Sequence, residues 1–172
     1  KFTAISGYPA PAGNTITGNN ASSRRSFPAV TSGRIYVSFM MRTDNGGSSQ
    51  YSGMSFYNGG TEEKFVGDGF SQVNQLTVGS AAGRELANNT DYTIIARYDF
   101  GTDVFSALLY TNASESVPGT EPGVWHVTET DASVTSIDRI RFESNVGTRW
   151  DEVRVATNYY ELLGISPPGA GL

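Results

Sequence analysis

The chain has 172 residues, of which 38% are hydrophobic and 17% charged, with one histidine, no cysteine and a net charge of −5. The missing cysteine excludes disulfides, thiolate nucleophiles and iron–sulfur clusters, and the negative charge argues against a nucleic-acid partner. No run of 18 apolar residues exists, so we expect no membrane span. Small polar residues replace charge: Gly, Ser, Thr and Asn make up 67 positions, and the only lysines are Lys1 and Lys64. This composition favours an all-β domain over a helical bundle.

Short β-type runs separated by turn residues follow one another along the chain. The clear strand predictions are 34–42, 53–57, 64–66, 73–78, 92–100, 104–111, 137–143 and 150–157, with weaker ones at 2–5, 25–30 and 124–128. Residues that favour tight turns, such as those at 44–47 and 100–103, separate these strands. About eleven strands at this spacing indicate a sandwich or barrel. One short helical turn is expected at 158–163. We predict a domain over 1–164 and a linker-like tail over 165–172.

The strand at 150–155 is informative because its side chains alternate between two faces. Val153 and Val155 share parity with Asp151, which predicts that Asp151 points toward the core while Trp150 and Arg154 point outward. A carboxylate on the core side needs a partner. One hypothesis is a structural Ca²⁺ ligand; the alternative is a carboxylate that accepts backbone N–H bonds at the end of the strand.

Arginines recur at positions of outward parity on several strands. These are Arg97, Arg139, Arg141 and Arg154. On a single sheet they would form an arginine-rich face with interleaved acids. Such a face is either a ladder of cross-strand ion pairs or a groove in which guanidinium groups bind the sulfates or carboxylates of an anionic polymer.

Several aromatic residues are candidates for stacking on sugar rings. Tyr36 and Trp150 have outward parity, Tyr110 lies on a strand that is apolar on both faces, and Trp125 follows a long loop at 112–123. Flat exposed rings bind the apolar faces of sugars. The alternative for each ring is partial burial under a loop.

Catalytic motifs are not evident. His126 is the single histidine, and no G-x-S-x-G elbow accompanies it. Glycoside hydrolysis needs two carboxylates that face one bond. The nearest carboxylate pairs along a strand, such as Asp151 with Glu152, have opposite parity. We therefore expect no enzymatic activity, unless the fold brings two carboxylates together or sets a tyrosine beside His126.

Several segments together resemble the concanavalin A-like (laminin G-like) jelly-roll domains of environmental bacteria. They are 37–42, 53–62, 109–112 and 137–141, followed by Trp150-Asp151-Glu152-Val153-Arg154-Val155. The resemblance implies a two-sheet antiparallel β-sandwich, frequently an accessory module of secreted glycan-degrading or cell-surface proteins. In these domains calcium is commonly bound at the rim, at a position that Asp151 would occupy. The catalytic signatures of the lyases and hydrolases in the family are missing here.

The predicted function is therefore a non-catalytic carbohydrate-binding module, secreted or on the cell surface, whose partner is a polysaccharide, with an anionic polysaccharide as one candidate. We expect a monomer within a larger multidomain chain. The alternatives are a structural or adhesion domain that contacts proteins, and a polysaccharide lyase or glycoside hydrolase. The predicted sugar-binding residues are Tyr36, Arg97, Tyr110, Trp125, Arg139, Arg141, Trp150 and Arg154, and the predicted Ca²⁺ ligand is Asp151.

Overall fold

The protein folds as two antiparallel sheets of six strands each, packed face to face. The computed structural model describes residues 1–12, 14–44 and 50–169. The first sheet contains β1 (Ile16–Gly18), β3 (Arg34–Thr43), β8 (Tyr92–Asp99), β9 (Val104–Thr111), β10 (Val127–Thr130) and β12 (Thr148–Ala156). The second sheet contains β2 (Ala21–Val30), β4 (Ser52–Asn58), β5 (Thr61–Asp68), β6 (Gln75–Val78), β7 (Ala81–Glu85) and β11 (Ile137–Ser144). A short helix, α1 (Tyr159–Leu163), follows the last strand.

The strand orders are β1-β12-β3-β8-β9-β10 and β2-β11-β4-β5-β6-β7. Every pairing between named strands is antiparallel, and neighbours in a sheet are often distant in sequence, as with β12 and β3. The predicted two-sheet sandwich is therefore confirmed, with twelve strands in the described part of the chain rather than about eleven. Among the described residues, no helix is long and apolar enough to cross a membrane.

The main core lies between the sheets. Alternate residues of β3, including Val37 and Phe39, face Met54 and Phe56 of β4 and are fully buried. This is the period-two pattern that the sequence shows for β3, because successive side chains of a strand point to opposite faces. Burial of such aliphatic and aromatic side chains contributes roughly 1.5–3 kcal/mol each.

A second apolar cluster covers the outer face of the first sheet. Outward side chains such as Met40 and Ile95 pack against Phe2, Ile5 and α1. The helix is held in place by its caps: the Asn158 side chain accepts a hydrogen bond from the Glu161 N–H, and Gly164 adopts the left-handed conformation. The residues at 2–5, predicted as a strand, form no strand and instead pack over the outer face of the first sheet. One outer face of the sandwich is thus closed to a polymer.

A β-bulge in β12 overturns the predicted parity of that strand. Asp151 pairs with Met40, but Arg154 pairs with Ser38, so β12 has one extra residue. The extra residue is Glu152, whose φ is +48°. Trp150 therefore points into the core between the sheets, and Asp151 lies on the opposite face. The prediction that Trp150 points outward and Asp151 inward is wrong.

Two strands escaped prediction, β1 and β7. Both are short and rich in small residues, and Gly18 of β1 lies so close to Trp150 that a Cβ there would come within 2.8 Å of the indole. Residues 45–47 of the predicted turn at 44–47, and residues 170–172 at the end of the predicted tail, lie outside the described residues.

Candidate functional site

The predicted arginine face is divided between two opposite sides of the sandwich. Arg97 and Arg154 lie on the outer side of the first sheet, whereas Arg139 and Arg141 lie on the outer side of the second sheet, on β11. The prediction of one shared arginine face is wrong, because β11 pairs with β2 and β4 and not with β12.

Arg97 is already bound by its neighbours. Its Nη1 donates to Glu121 Oε1 at 2.6 Å, its Nη2 donates to Ser106, and its guanidinium stacks over the Trp125 ring at 4.4 Å. The Arg97 side chain is only 13% exposed. One face of Trp125 is occupied by this contact, so both residues act in packing the long loop onto the sheet.

The tyrosines predicted as stacking platforms are buried. Tyr36 is 2% exposed and packs edge-on against Tyr159, with ring centroids 6.2 Å apart. Tyr110 is 9% exposed and belongs to the same outer cluster. Neither ring presents a free face to a ligand, and Trp150, which lies in the main core, is equally closed. The placement of these three aromatics in a binding surface is therefore wrong.

Asp151 and Arg154 lie beside the bulge. The Asp151 carboxylate accepts the backbone N–H of Glu152 at 2.9 Å, and Arg154 Nη2 lies 3.6 Å from Glu152 Oε2. Within the described ranges, no group of three or more His, Cys, Asp or Glu side chains could hold a metal ion. A Ca²⁺ ion takes six to eight oxygen ligands, so a calcium site at Asp151 would need most of them from backbone carbonyls and water, and calcium at this position stays a prediction.

The outer face of the second sheet carries a groove of about 610 Å³, called the central groove below. Its lining includes Tyr51, Glu62, Phe65, Phe70, Arg141 and Glu143. Two glycines allow close packing in the strands beneath it: the Phe65 ring lies over Gly53, where a Cβ would come within 2.7 Å of Phe65 Cζ. Gly67, opposite Gly53 on β5, has a φ of +151° and no room for a side chain.

Polar groups meet at one end of the central groove. Arg141 forms an ion pair with Glu143. Ser55 Oγ lies 2.8 Å from Glu62 Oε1 and 3.4 Å from Glu143 Oε1, and the Tyr57 hydroxyl donates to Glu62 Oε2 at 3.4 Å. The Arg141 guanidinium also lies over the Tyr57 ring, 4.9 Å from its centroid. Five side chains from β4, β5 and β11 thus form one hydrogen-bonded cluster.

The protonation of this cluster follows from burial and charge. Burial, followed by the nearby Glu62 carboxylate, raises the pKa of Tyr57 to about 12, so its hydroxyl is a donor at neutral pH. Partial burial works to lower the pKa of the Arg141 guanidinium, but the hydrogen bond to Glu143 and the surrounding carboxylates raise it above its ordinary value. Arg141 therefore stays charged in the groove.

Aromatic side chains line the rest of the groove. Tyr51 and Phe65 pack edge to face with centroids 6.3 Å apart. Phe70, in the loop between β5 and β6, is 56% exposed. Sequence reasoning identified Arg141 but missed Glu62, Phe65 and Phe70, because they come from strands and a loop whose pairing the sequence does not show.

The fold also sets a tyrosine beside the single histidine. The rings of Tyr110 and His126 lie 6.0 Å apart. His126 Nδ1 accepts the backbone N–H of Leu109 at 2.9 Å, and desolvation, followed by the charge of Arg84, lowers the pKa of the imidazole. Burial raises the pKa of Tyr110 to about 12. With Tyr110 buried and Nδ1 engaged, this pair presents no open site.

Comparisons with known proteins bear on the fold. No protein-family model matches the sequence, and no curated protein matches it. Among solved structures, a sialidase superposes with a TM-score of 0.62 at 10% identity, covering 86% of this chain, and the chain spans 16% of that sialidase chain. The fold is a concanavalin-like jelly roll.

Two further solved structures are similar to this chain at lower TM-scores. Congerin II bound to lactose and MES has a TM-score of 0.47 and 12% identity, over 79% of this chain and 100% of its own. Lectin I-B4 from Griffonia simplicifolia has a TM-score of 0.47 and 7% identity, over 80% of this chain and 82% of its own. Both TM-scores lie below 0.5, so these two likenesses carry no weight for this chain.

Proposed function

We propose that the chain binds carbohydrate in the central groove. The observation that carries this proposal is the combination, in one open groove, of the Arg141–Glu143–Glu62 cluster with the aromatic side chains of Tyr51 and Phe70. Sugar sites need these two components, since hydroxyl groups require paired donors and acceptors and the C–H faces of the ring require a flat apolar surface.

The charges in the groove favour a neutral sugar over an anionic one. The single guanidinium of Arg141 is accompanied by the carboxylates of Glu143 and Glu62. Arg139, the next outward arginine on β11, is engaged by Ser26 at 3.1 Å. Arg24 lies opposite Arg141 on β2, but outside the groove lining. Within that lining a sulfate or uronate would meet two carboxylates beside one ion-paired guanidinium, so we propose a neutral glycan in place of the anionic polymer considered from the sequence.

A role in adhesion to proteins is the competing proposal. A flat outer face without aromatics would favour it. The groove is instead lined by three aromatic side chains, those of Tyr51, Phe65 and Phe70. This lining suits a small ring system better than a protein surface.

Affinity electrophoresis tests the proposal. The protein is run through gels containing one neutral polysaccharide each (laminarin, mixed-linkage glucan, xylan, galactan or mannan) or a sulfated one such as carrageenan. We expect retardation by at least one neutral glycan, and at least a tenfold weaker effect for Arg141→Ala. Arg154→Ala, on the opposite face, is the matched control and should migrate as the unmodified protein does. Absence of retardation in every gel, or equal loss in both variants, would contradict a site in the central groove.

A further inference from the structure

One side of the sandwich is open between the edges of the two sheets. β2 is the edge strand of the second sheet, and eight of its ten residues are exposed. In the first sheet, β1 covers only residues 148–150 of β12. Among the described strands, none pairs with the remaining part of that edge of β12. Two strand edges therefore face solvent on the same side of the molecule.

An apolar cleft of about 610 Å³, called the edge cleft below, lies between these two edges. Its lining includes Phe27 and Val30 from β2, and Val153 and Val155 from β12. Val155 is 37% exposed although it pairs with Val37 and points to the core side of its sheet. The edge cleft thus leaves part of the core uncovered, and apolar side chains of another segment would fill it.

The opposite side of the sandwich is closed. Glu129 of β10 accepts the backbone N–H groups of Ser80 and Ala81, at the start of β7, and forms an ion pair with Lys64 of β5. These contacts tie the first sheet to the second. The edges of β7 and β10 therefore pack against each other, whereas an open cleft separates β2 from β12.

The edge of β2 is positively charged in a protein whose net charge is −5. Arg24 lies directly opposite Arg141 on the outer face of the second sheet, and Arg139 lies opposite Ser26 on the same face. Arg25 points to the other face and lines the edge cleft. Within the described residues, no carboxylate forms an ion pair with Arg24, Arg25 or Arg139. Like charges opposite each other on a sheet repel, so this edge attracts acidic groups.

The free edge of β2 suits a paired strand over residues 21–27. Pro28 follows, and its missing N–H ends a regular ladder of hydrogen bonds. Side chains of a strand alternate between its two faces. A segment paired with this edge would therefore present every second side chain to the edge cleft, and the others to the face that carries Arg24 and Arg139.

The arginines disfavour a second copy of this chain as the occupant. Antiparallel pairing of two β2 edges over residues 21–27 would set each Arg24 opposite its own counterpart, which destabilises the pairing. Charges and prolines at strand edges guard proteins against such self-association in general. The same positive charges favour a strand that carries acidic side chains.

We propose that this side of the molecule binds an extended segment of another protein, with alternating apolar and acidic side chains, by strand addition to β2. The backbone of the segment pairs with residues 21–27, its apolar side chains enter the edge cleft, and its acidic side chains meet Arg24 and Arg139. Main-chain hydrogen bonds give affinity in strand addition, and the alternate side chains give specificity. The inference does not depend on glycan binding, because the edge cleft shares no lining residue with the central groove.

Three labelled peptides test the proposal by fluorescence anisotropy with the full chain. The first is Glu-Val-Glu-Val-Glu-Val-Glu, the second has Lys in place of every Glu, and the third has Pro in place of the central Val. We expect saturable binding of the first peptide. Binding of the other two should be at least about tenfold weaker, because the arginines repel the second and the third cannot form a continuous ladder.

Charge reversal on β2 tests the contact with the arginines. Arg24→Glu should weaken binding of the Glu–Val peptide at least about fivefold and strengthen binding of the Lys–Val peptide, because an attractive charge pair becomes repulsive. Arg149→Glu changes the net charge equally at a 43% exposed side chain outside the edge cleft. It is the matched control and should alter neither affinity.

Hydrogen exchange locates the bound peptide. Saturation with the Glu–Val peptide should slow amide exchange in residues 21–27, since newly paired N–H groups are protected. Binding without this protection, or equal binding of the proline peptide, would show charge attraction alone and overturn strand addition. Absence of binding also overturns the proposal. A dimer of the free protein in ultracentrifugation, with the same residues protected, would assign this edge to a second copy instead.

Discussion

The indole of Trp150 packs edge-on against the ring of Phe142, with centroids 5.7 Å apart, in the space between the two sheets. Trp150 comes from β12 of the first sheet and Phe142 from β11 of the second, so this contact joins the two layers of the sandwich. The indole is 2% exposed. A residue that a strand-parity argument assigns to a ligand surface is therefore one of the largest contributors to the core.

Replacing Trp150 by Ala should lower the free energy of unfolding by about 3–5 kcal/mol, since it removes the ring and leaves a cavity between the sheets. Urea denaturation measures the change. Trp125→Ala, at a partly buried ring on the outer cluster, should cost clearly less and serves as the comparison. A Trp150→Ala protein as stable as the unmodified chain would contradict the position of the indole in the core.

The fold was predictable because hydrophobic alternation and turn residues are local signals. The pattern of β3, with Ile35, Val37, Phe39 and Met41 on one face, is visible in the sequence and appears unchanged in the core. The reversal at Glu152 was not predictable, because a bulge depends on the register with β3 and nothing in the local sequence marks it. Because of that one extra residue, Trp150 points into the core and Asp151 points away from it, which is the reverse of the prediction.

The candidate site was less predictable for a related reason. Glu62 and Glu143 are 81 positions apart and meet only because β4 lies between β5 and β11. Their shared partner Ser55 is an unremarkable serine in the sequence. Strand parity identified Arg141 as an outward residue. The sequence does not show which sheet β11 joins, so the prediction put Arg97 and Arg154 on the same face as Arg141.

Arg97 should matter for stability and not for ligand binding. Arg97→Ala removes the Glu121 ion pair and the contact with Trp125 from a mostly buried position, and we expect a loss of about 1–2 kcal/mol in the free energy of unfolding. Retardation in glycan gels should be unchanged. If Arg97→Ala weakened the interaction with glycan at unchanged stability, the ligand site would lie on the first sheet instead of in the central groove.

Chelation should leave the protein unchanged. The Asp151 carboxylate is already engaged by the Glu152 N–H, and the described side chains provide no cluster for an ion such as Ca²⁺. We expect the same unfolding temperature with and without excess EDTA, because a ligand of the folded state stabilises it by mass action only if it binds. A drop in that temperature, together with calcium in elemental analysis, would restore the calcium hypothesis.

Asp68 should make stability depend on pH. Burial raises the pKa of this carboxyl group to about 6, although the N–H groups of Asn74 and Gln75 act in the opposite direction. The folded protein thus binds the proton more tightly than the unfolded chain does. The stabilisation from this group is complete below pH ~4 and is lost as the pH rises through about 6.

Asp68→Asn, which keeps the shape without the charge, should remove this dependence. Relative to the unmodified protein, its free energy of unfolding should rise by at most about 3 kcal/mol between pH 4 and pH 7. Urea unfolding at four pH values in this range measures the difference. Parallel curves for the two proteins would show that Asp68 does not titrate in this window.

Phe70 provides the most direct test of the groove wall. The ring is 56% exposed at the tip of the loop that Asp68 anchors through the Asn74 N–H, and it makes none of the ring contacts described above. Truncating an exposed side chain changes stability by about 0.5 kcal/mol or less. A lost stacking contact costs about 0.5–1.5 kcal/mol, or roughly 2- to 12-fold in affinity. We therefore expect Phe70→Ala to weaken glycan binding by this factor at unchanged stability. Phe70→Trp, which keeps a flat ring, should bind glycan as the unmodified protein does.

Val124→Ala, at an 81% exposed residue outside the groove lining, is the matched control and should alter neither property. Calorimetric titration with the best glycan from the gels measures all three variants, and equal affinity in Phe70→Ala and the unmodified protein would exclude this ring from the site.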